Sequence, residues 1–180
     1  MQPSFTRQKR QSLRLKNFDY SQAGTYFITI CLNHKECLFG EIVQGAMLLN
    51  PAGEMISALW QAQTLQFPSI RLDAYVVMPN HIHGIISTVG ATLVVAQPAS
   101  VAPAKVPSIA DIVGAFKSRS TLEYIRGVRA LNWRAFNGRL WQRNYYEHVI
   151  RNEASMTSIR EYIVNNPLQW QFDKENPYRV

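Results

Sequence analysis

The sequence predicts an α+β domain, an antiparallel sheet with helices packed on one face and one further helix at the C-terminal end. Three observations point there. Segments rich in β-branched and aromatic residues alternate with segments of helical apolar spacing, in the order strand, helix, strand, strand, helix, strand, helix. Two of the strands, Ile70–Met78 and His81–Thr88, are joined by the tight connection at Met78-Pro79-Asn80 and so read as a hairpin. A chain of 180 residues with 47% hydrophobic content is sized for one core.

Residues 1–17 read as a flexible basic arm and 18–180 as a single domain. Gly24–Leu32, Gly-Thr-Tyr-Phe-Ile-Thr-Ile-Cys-Leu, is the first strand, dense in residues that fit a pleated surface. Short extended pieces follow at Phe39–Val43 and Ala46–Leu49. Asn50-Pro51-Ala52-Gly53-Glu54 offers an N-cap, a proline at the first helical position and an early acid, so a helix should run to about Gln66. Met55, Ile56, Leu59 and Trp60 supply its apolar stripe. After the hairpin, residues 89–106 are rich in Ala, Val and Pro and read as a mobile loop inside the domain. Ser108 caps a second helix that turns Ile109, Ile112, Val113 and Phe116 inward and carries Lys117, Arg119 and Arg126 toward its far end. Leu140–Ile150 reads as the last strand. Ser155–Asn165 is the final helix, stopped before Pro167. This order matches a ferredoxin-like split βαβ arrangement.

Composition narrows the function. No apolar run reaches the length of a membrane span, and the charged N-terminus has no apolar stretch behind it, so no membrane partner and a cytoplasmic location are expected. Cys31 and Cys37 form no paired motif, which argues against a disulfide scaffold or a thiolate zinc site. The net charge of +7 is uneven. Arg7, Lys9, Arg10, Arg14 and Lys16 give residues 1–17 a charge of +5 with no acid. Lys117, Arg119, Arg126, Arg129, Arg134, Arg139 and Arg143 against Glu123 give 117–143 a charge of +6, interleaved with Tyr124, Trp133, Phe136 and Trp141. A run of charge is usually a solvated face. Two arginine-rich runs mixed with aromatics favour a nucleic-acid partner, because guanidinium forks suit phosphates and ring faces suit unpaired bases.

The strand after the tight connection begins His81-Ile82-His83. Side chains two apart on a strand share a face, so the imidazoles project together while Ile82 enters the core. Such a pair is half of a metal site, or two solvated histidines on an edge. In the final helix Tyr162 and Asn166 are four apart and share a face, with Ile159 and Ile163 available to anchor the helix. A helical tyrosine on its own is ordinarily an amphipathic residue at the border of the core.

Five blocks give these residues a context: Arg14-Leu15-Lys16-Asn17-Phe18-Asp19-Tyr20; Tyr26-Phe27-Ile28-Thr29; Met78-Pro79-Asn80-His81-Ile82-His83; Trp141-Gln142 with Tyr146-Glu147-His148-Val149-Ile150-Arg151; and Tyr162-Ile163-x-x-Asn166-Pro167. In this order they resemble the REP-associated tyrosine transposases, which belong to the single-tyrosine HUH-type transposases of bacterial insertion sequences. The resemblance implies that His81 and His83 ligate a divalent metal, Mg2+ or Mn2+, and that Tyr162 is the nucleophile. It places Asn166 where relatives often carry a glutamine ligand. It also implies cleavage and rejoining of single-stranded DNA at hairpin sequences through a 5′-phosphotyrosine link, by a monomer or a homodimer. Arg7, Lys9, Arg10, Arg14, Lys16, Lys117, Arg119, Arg126 and Arg143 are the expected DNA contacts. His148 is open to a general-base, structural or phosphate-binding role. Two other readings remain: a non-catalytic nucleic-acid-binding protein, and a phosphoesterase without a covalent intermediate, for which Asp73 and Glu147 are the available carboxylates.

Overall fold

β1 (Gly24–Cys31) is the strand around which the rest is built. It pairs antiparallel with β5 (His81–Thr88) on one side and with β6 (Tyr146–Ile150) on the other, and β4 (Ile70–Val77) completes the sheet beyond β5. The resulting order, β4-β5-β1-β6, is that of the expected split βαβ arrangement. The computed structural model describes residues 24–88 and 107–179. The expected basic arm, with Arg7, Lys9, Arg10, Arg14 and Lys16, and the expected loop 89–106 lie outside the described residues.

The sheet buries both faces. Tyr26, Ile28 and Ile30 of β1 and Ile82 and Ile86 of β5 face α1 (Pro51–Gln61) and α3 (Ile109–Leu131), packing with Trp60, Ile112, Val113 and Phe116. The opposite face carries Phe27, Ile85 and Ile150, covered by Ile163 of α4 (Glu153–Asn165) with Met156 and Ile159 beside it. The C-terminal helix thus stands apart from the other two, across the sheet. A small separate hairpin, β2 (Gly40–Val43) with β3 (Ala46–Leu49), turns through Gln44 and Gly45, both at positive φ.

Capping sets the helix starts. The Asn50 side chain accepts from the Gly53 amide, and Ser108 and Asp111 form a reciprocal capping box. Asn152 accepts from the Ser155 amide, which starts α4 two residues before the expected Ser155. The helix expected to reach Gln66 is interrupted at Ala62 and resumes as α2 (Gln63–Gln66). There the Leu65 amide bonds the Ala62 carbonyl, while the Thr64 hydroxyl donates to the Gln61 carbonyl that a continuous helix would have used.

The strand expected over Leu140–Ile150 is only Tyr146–Ile150. Trp141 makes an isolated bridge to Leu32. The intervening carbonyls of Gln142, Arg143 and Asn144 turn toward α3, where Lys117 Nζ donates to them at 2.9, 3.4 and 3.0 Å. Those acceptors are lost to any sheet ladder, and the strand starts only beyond them.

Candidate active site

The connection between β4 and β5 fixes where the histidines begin. The Met78 amide donates to the His81 carbonyl, the Leu32 amide to the Asn80 carbonyl, and the Leu38 and Phe39 amides to the Pro79 carbonyl. The register then sets His83 opposite Thr29 and His81 opposite Cys31. Both imidazoles are buried on the α4 face, and their Nε2 atoms lie 3.0 Å apart. The expected convergence of His81 and His83, with Ile82 in the core behind them, is met.

Each ring is held by its other nitrogen. His83 Nδ1 is 2.9 Å from the Thr29 hydroxyl. His81 Nδ1 is 2.9 Å from Asn80 Oδ1. The Asn80 amide nitrogen donates to the carbonyls of Lys35 at 3.0 Å and Glu175 at 2.7 Å, which leaves its oxygen as acceptor. His81 therefore carries its proton on Nδ1 and points a lone pair from Nε2. Burial holds the His81 imidazole down to about 4, against the pull of the Asp173 charge. Burial, reinforced by His81, holds His83 well below the ordinary imidazole value. Both rings are neutral at physiological pH, the form that ligates metal.

Tyr162 reaches this pair from α4. Its hydroxyl is 3.3 Å from His83 Nε2, and its ring packs edge-on against Phe27 with centroids 5.9 Å apart. Burial and then the Asp173 charge push its phenol above the usual value, so it is protonated at neutral pH. Asn166, one turn later, is 2% exposed. Its amide nitrogen donates to Asp173 at 3.3 Å, and its Oδ1 is buried without a hydrogen-bond partner.

Asp173 is the member of the cluster that sequence reasoning missed. The chain leaves α4 through a 3₁₀ helix, Pro167–Phe172, and returns to the histidines, where Asp173 Oδ2 is 3.9 Å from His81 Nε2. His81, His83 and Asp173 each offer a ligand atom within 4.8 Å of the others. Thr29 and Asn80 were also passed over as ring supports. Asn80 could have been read from its place directly before His81. Thr29 needed the strand register, and Asp173 needed the path of the chain after Pro167.

The expected DNA contacts are distributed differently. Arg119 and Arg126 are exposed on α3, across the sheet from Tyr162, and Arg126 pairs with Glu123 at 2.7 Å. Lys117 is turned inward onto the three carbonyls before β6, and burial lowers its ammonium to about 8. Arg143 is exposed close to the start of β6. His148 is exposed on the site face, opposite Phe27. The two carboxylates considered for a hydrolase are elsewhere: Asp73 is bound to Arg160, and Glu147 points to the α3 face, opposite Ile28.

Fold and site together define a split βαβ protein in which β5, beside β1, presents a buried His-x-His pair to a tyrosine on a C-terminal helix. Comparison with known proteins bears on the family and the fold. An uncharacterized protein of Haemophilus influenzae is 41% identical over 175 residues, 92% of this chain and 92% of that protein. A candidate REP-associated tyrosine transposase of the same organism is 23% identical over 154 residues, 84% of this chain and 74% of that protein. The solved structure of a REP-associated tyrosine transposase bound to a REP hairpin superposes with a TM-score of 0.55 at 19% identity, covering 89% of this chain and 77% of that one. No family model matches the chain. The chain belongs to one family with the 41%-identical Haemophilus protein, and it resembles the REP-associated tyrosine transposases in sequence and shares their fold.

Proposed function

We propose that this protein is a transposase-type enzyme that cleaves and rejoins single-stranded DNA at hairpin sequences, with Tyr162 as the nucleophile. The observation that carries the reading is the Tyr162 hydroxyl, 3.3 Å from Nε2 of a buried, neutral histidine pair in the same chain. The solved relative bound to a REP hairpin supports hairpin DNA as the substrate class.

The donor set fits a divalent metal. Two Nε2 atoms 3.0 Å apart, on rings whose Nδ1 atoms are held by Thr29 and Asn80, are placed to share one ion. The buried, unpartnered Asn166 Oδ1 and the Asp173 carboxylate add hard oxygen donors. His81, His83 and Asp173 would hold the ion, with Asn166 completing the protein's share. Nitrogen and oxygen together suit Mn2+ or Mg2+. Once bound there, such an ion would supply charge neutralisation at the scissile phosphate.

The chain's own residues do the rest. Phe27 and Ile163 fix the tyrosine helix against the sheet. The Tyr162 oxygen attacks phosphorus, a Tyr–O–P bond forms, the P–O3′ bond breaks, and the departing 3′-oxygen takes up a proton as the phenol gives one to solvent. The phosphotyrosine retains the energy of the broken ester, so a later 3′-hydroxyl can reverse the step and join strands. A labelled single-stranded oligonucleotide with a REP-like hairpin, incubated with Mg2+ or Mn2+ and run on a denaturing gel, tests this. A covalent adduct that disappears in Tyr162→Phe supports it. Cleavage that survives in Tyr162→Phe overturns it in favour of a hydrolase, and binding without cleavage under either metal points to a non-catalytic binding protein.

A further inference from the structure

Among the described residues, the face that carries the histidines is covered only in part: α4 lies over it through Ile159 and Ile163 and leaves β6 at the edge open, with Tyr146 45% exposed and His148 exposed on the same side. In the strand register His83, Thr29 and Tyr146 form one row, and Ile85, Phe27 and His148 the next. Tyr146 is therefore two strand spacings, roughly 10 Å, from His83. A single ring separates it from the nucleophile: Phe27 packs on Tyr146 with centroids 6.3 Å apart and on Tyr162 at 5.9 Å. The Lys174 ammonium stands 5.6 Å above the Tyr146 ring, on a backbone held by Lys35 Nζ at the Lys174 carbonyl, 2.6 Å away.

We propose that Tyr146 and Lys174 form a nucleotide subsite next to Tyr162, in which a base of the single strand flanking the scissile phosphate stacks on the Tyr146 ring and Lys174 binds the adjoining phosphate. The inference rests on the reading of Tyr162 as the nucleophile of a single-strand nuclease. Its support is independent of the histidines. Beyond its contact with Phe27, Tyr146 stays 45% exposed on an edge strand, and a ring face with an ammonium beside it is the pairing that single-strand binders use. The long stem of Lys174 lets its charge leave the ring for a phosphate when a base arrives. Charge complementarity names the occupant as a polyanion: Arg143 and Arg151 are both exposed, close to either end of the strand.

The test uses the full chain without added metal, so that binding is read apart from chemistry. A hairpin oligonucleotide carries 2-aminopurine in turn at each position flanking the cleavage site. One position is quenched on binding to the wild type. Tyr146→Ala loses that quench and binds about tenfold more weakly, whereas Tyr146→Phe and Tyr146→Trp keep both. Lys174→Gln keeps the quench and lowers the slope of log affinity against log salt by about 0.7. A Tyr146→Ala protein that quenches and binds like the wild type overturns the subsite even where the Tyr162 adduct forms normally. An adduct that never forms while Tyr146-dependent quenching is seen leaves the subsite standing and removes the nucleophile. Absence of any single-strand binding by the wild type removes both.

Discussion

The Tyr162 hydroxyl and His83 Nε2 meet at 3.3 Å within one chain, across 79 positions of sequence. No second copy is needed to assemble the pair. The proposed enzyme should therefore complete its site in cis. Tyr162→Phe and His83→Ala should each abolish the covalent DNA adduct, and mixing the two proteins should not restore it. Adduct recovered on mixing, followed on a denaturing gel, would show instead that the tyrosine helix is exchanged between copies.

Asp173 and Asn166 contribute the oxygen donors beside the histidines. Asp173→Ala and Asn166→Ala should each weaken Mn2+ binding by about tenfold or more in titration calorimetry. The same loss should appear as a smaller metal-induced rise in melting temperature, since a ligand at 100 times its Kd adds about 2.7 kcal/mol to the folded state. Equal Mn2+ affinity in wild type and Asp173→Ala would remove the carboxylate from the ligand set.

The split βαβ order and the two-residue spacing of the histidines were legible because both depend on local pattern: β-branched runs, caps, and a strand's period of two. Tyr162 was legible only through its block with Asn166 and Pro167, since nothing in helical spacing separates it from other half-exposed tyrosines. Asp173 was not legible. Its place depends on a 3₁₀ helix after Pro167 that brings the chain back to His81, a tertiary fact with no periodic signature. The overlong last strand failed for a related reason. Leu140–Tyr145 has strand-like composition, but Lys117 from α3 takes the carbonyls that a ladder would need.

Asn80 and Thr29 hold the His81 and His83 rings by Nδ1, on the far side of each ring from the Nε2 pair. Thr29→Val removes the hydroxyl at His83 Nδ1 with little change of shape. It should lower Mn2+ affinity by about 10–100-fold while the fold, followed by circular dichroism, is kept. Asn80→Ala should cost stability as well, because the Asn80 amide also ties the Lys35 and Glu175 carbonyls together. Unchanged affinity in Thr29→Val would show that the strand alone orients His83.

Gly84 follows His83 and faces the other side of the sheet, where the Trp60 ring closes on it. A Cβ at this position would collide with Trp60 Cζ2, and Trp60 is fully buried. Gly84→Ala should therefore lower stability by about 1–3 kcal/mol in urea denaturation. A second change, Trp60→Phe, should recover part of that loss by vacating the contact. Failure of the pair to couple would mean that the strand yields rather than the ring.

Arg160 holds the tyrosine helix to the edge of the sheet through a two-point contact with Asp73, Nε to Oδ1 and NH2 to Oδ2, both 2.9 Å. The contact sits at the irregularity in β4 between Leu72 and Tyr75, where the bulged strand turns Asp73 toward α4. The Arg160 guanidinium holds the Asp73 carboxyl below its ordinary 3.8. In the unfolded chain Asp73 binds its proton near that ordinary value, and in the folded chain only at lower pH. The pair therefore contributes its full stability above about pH 3.8 and loses it as pH falls through the lower folded value. Asp73→Asn should melt below the wild type at neutral pH by a margin that stays level down to about pH 4 and closes beneath it. Arg160→Ala should slow adduct formation while single-strand affinity stays near wild type, because the helix loses its tether but the DNA contacts do not. The exchanged pair, Asp73→Arg with Arg160→Asp, should regain part of the rate. An Arg160→Ala protein with unimpaired adduct formation would assign the positioning of Tyr162 to Phe27 and Ile163 alone.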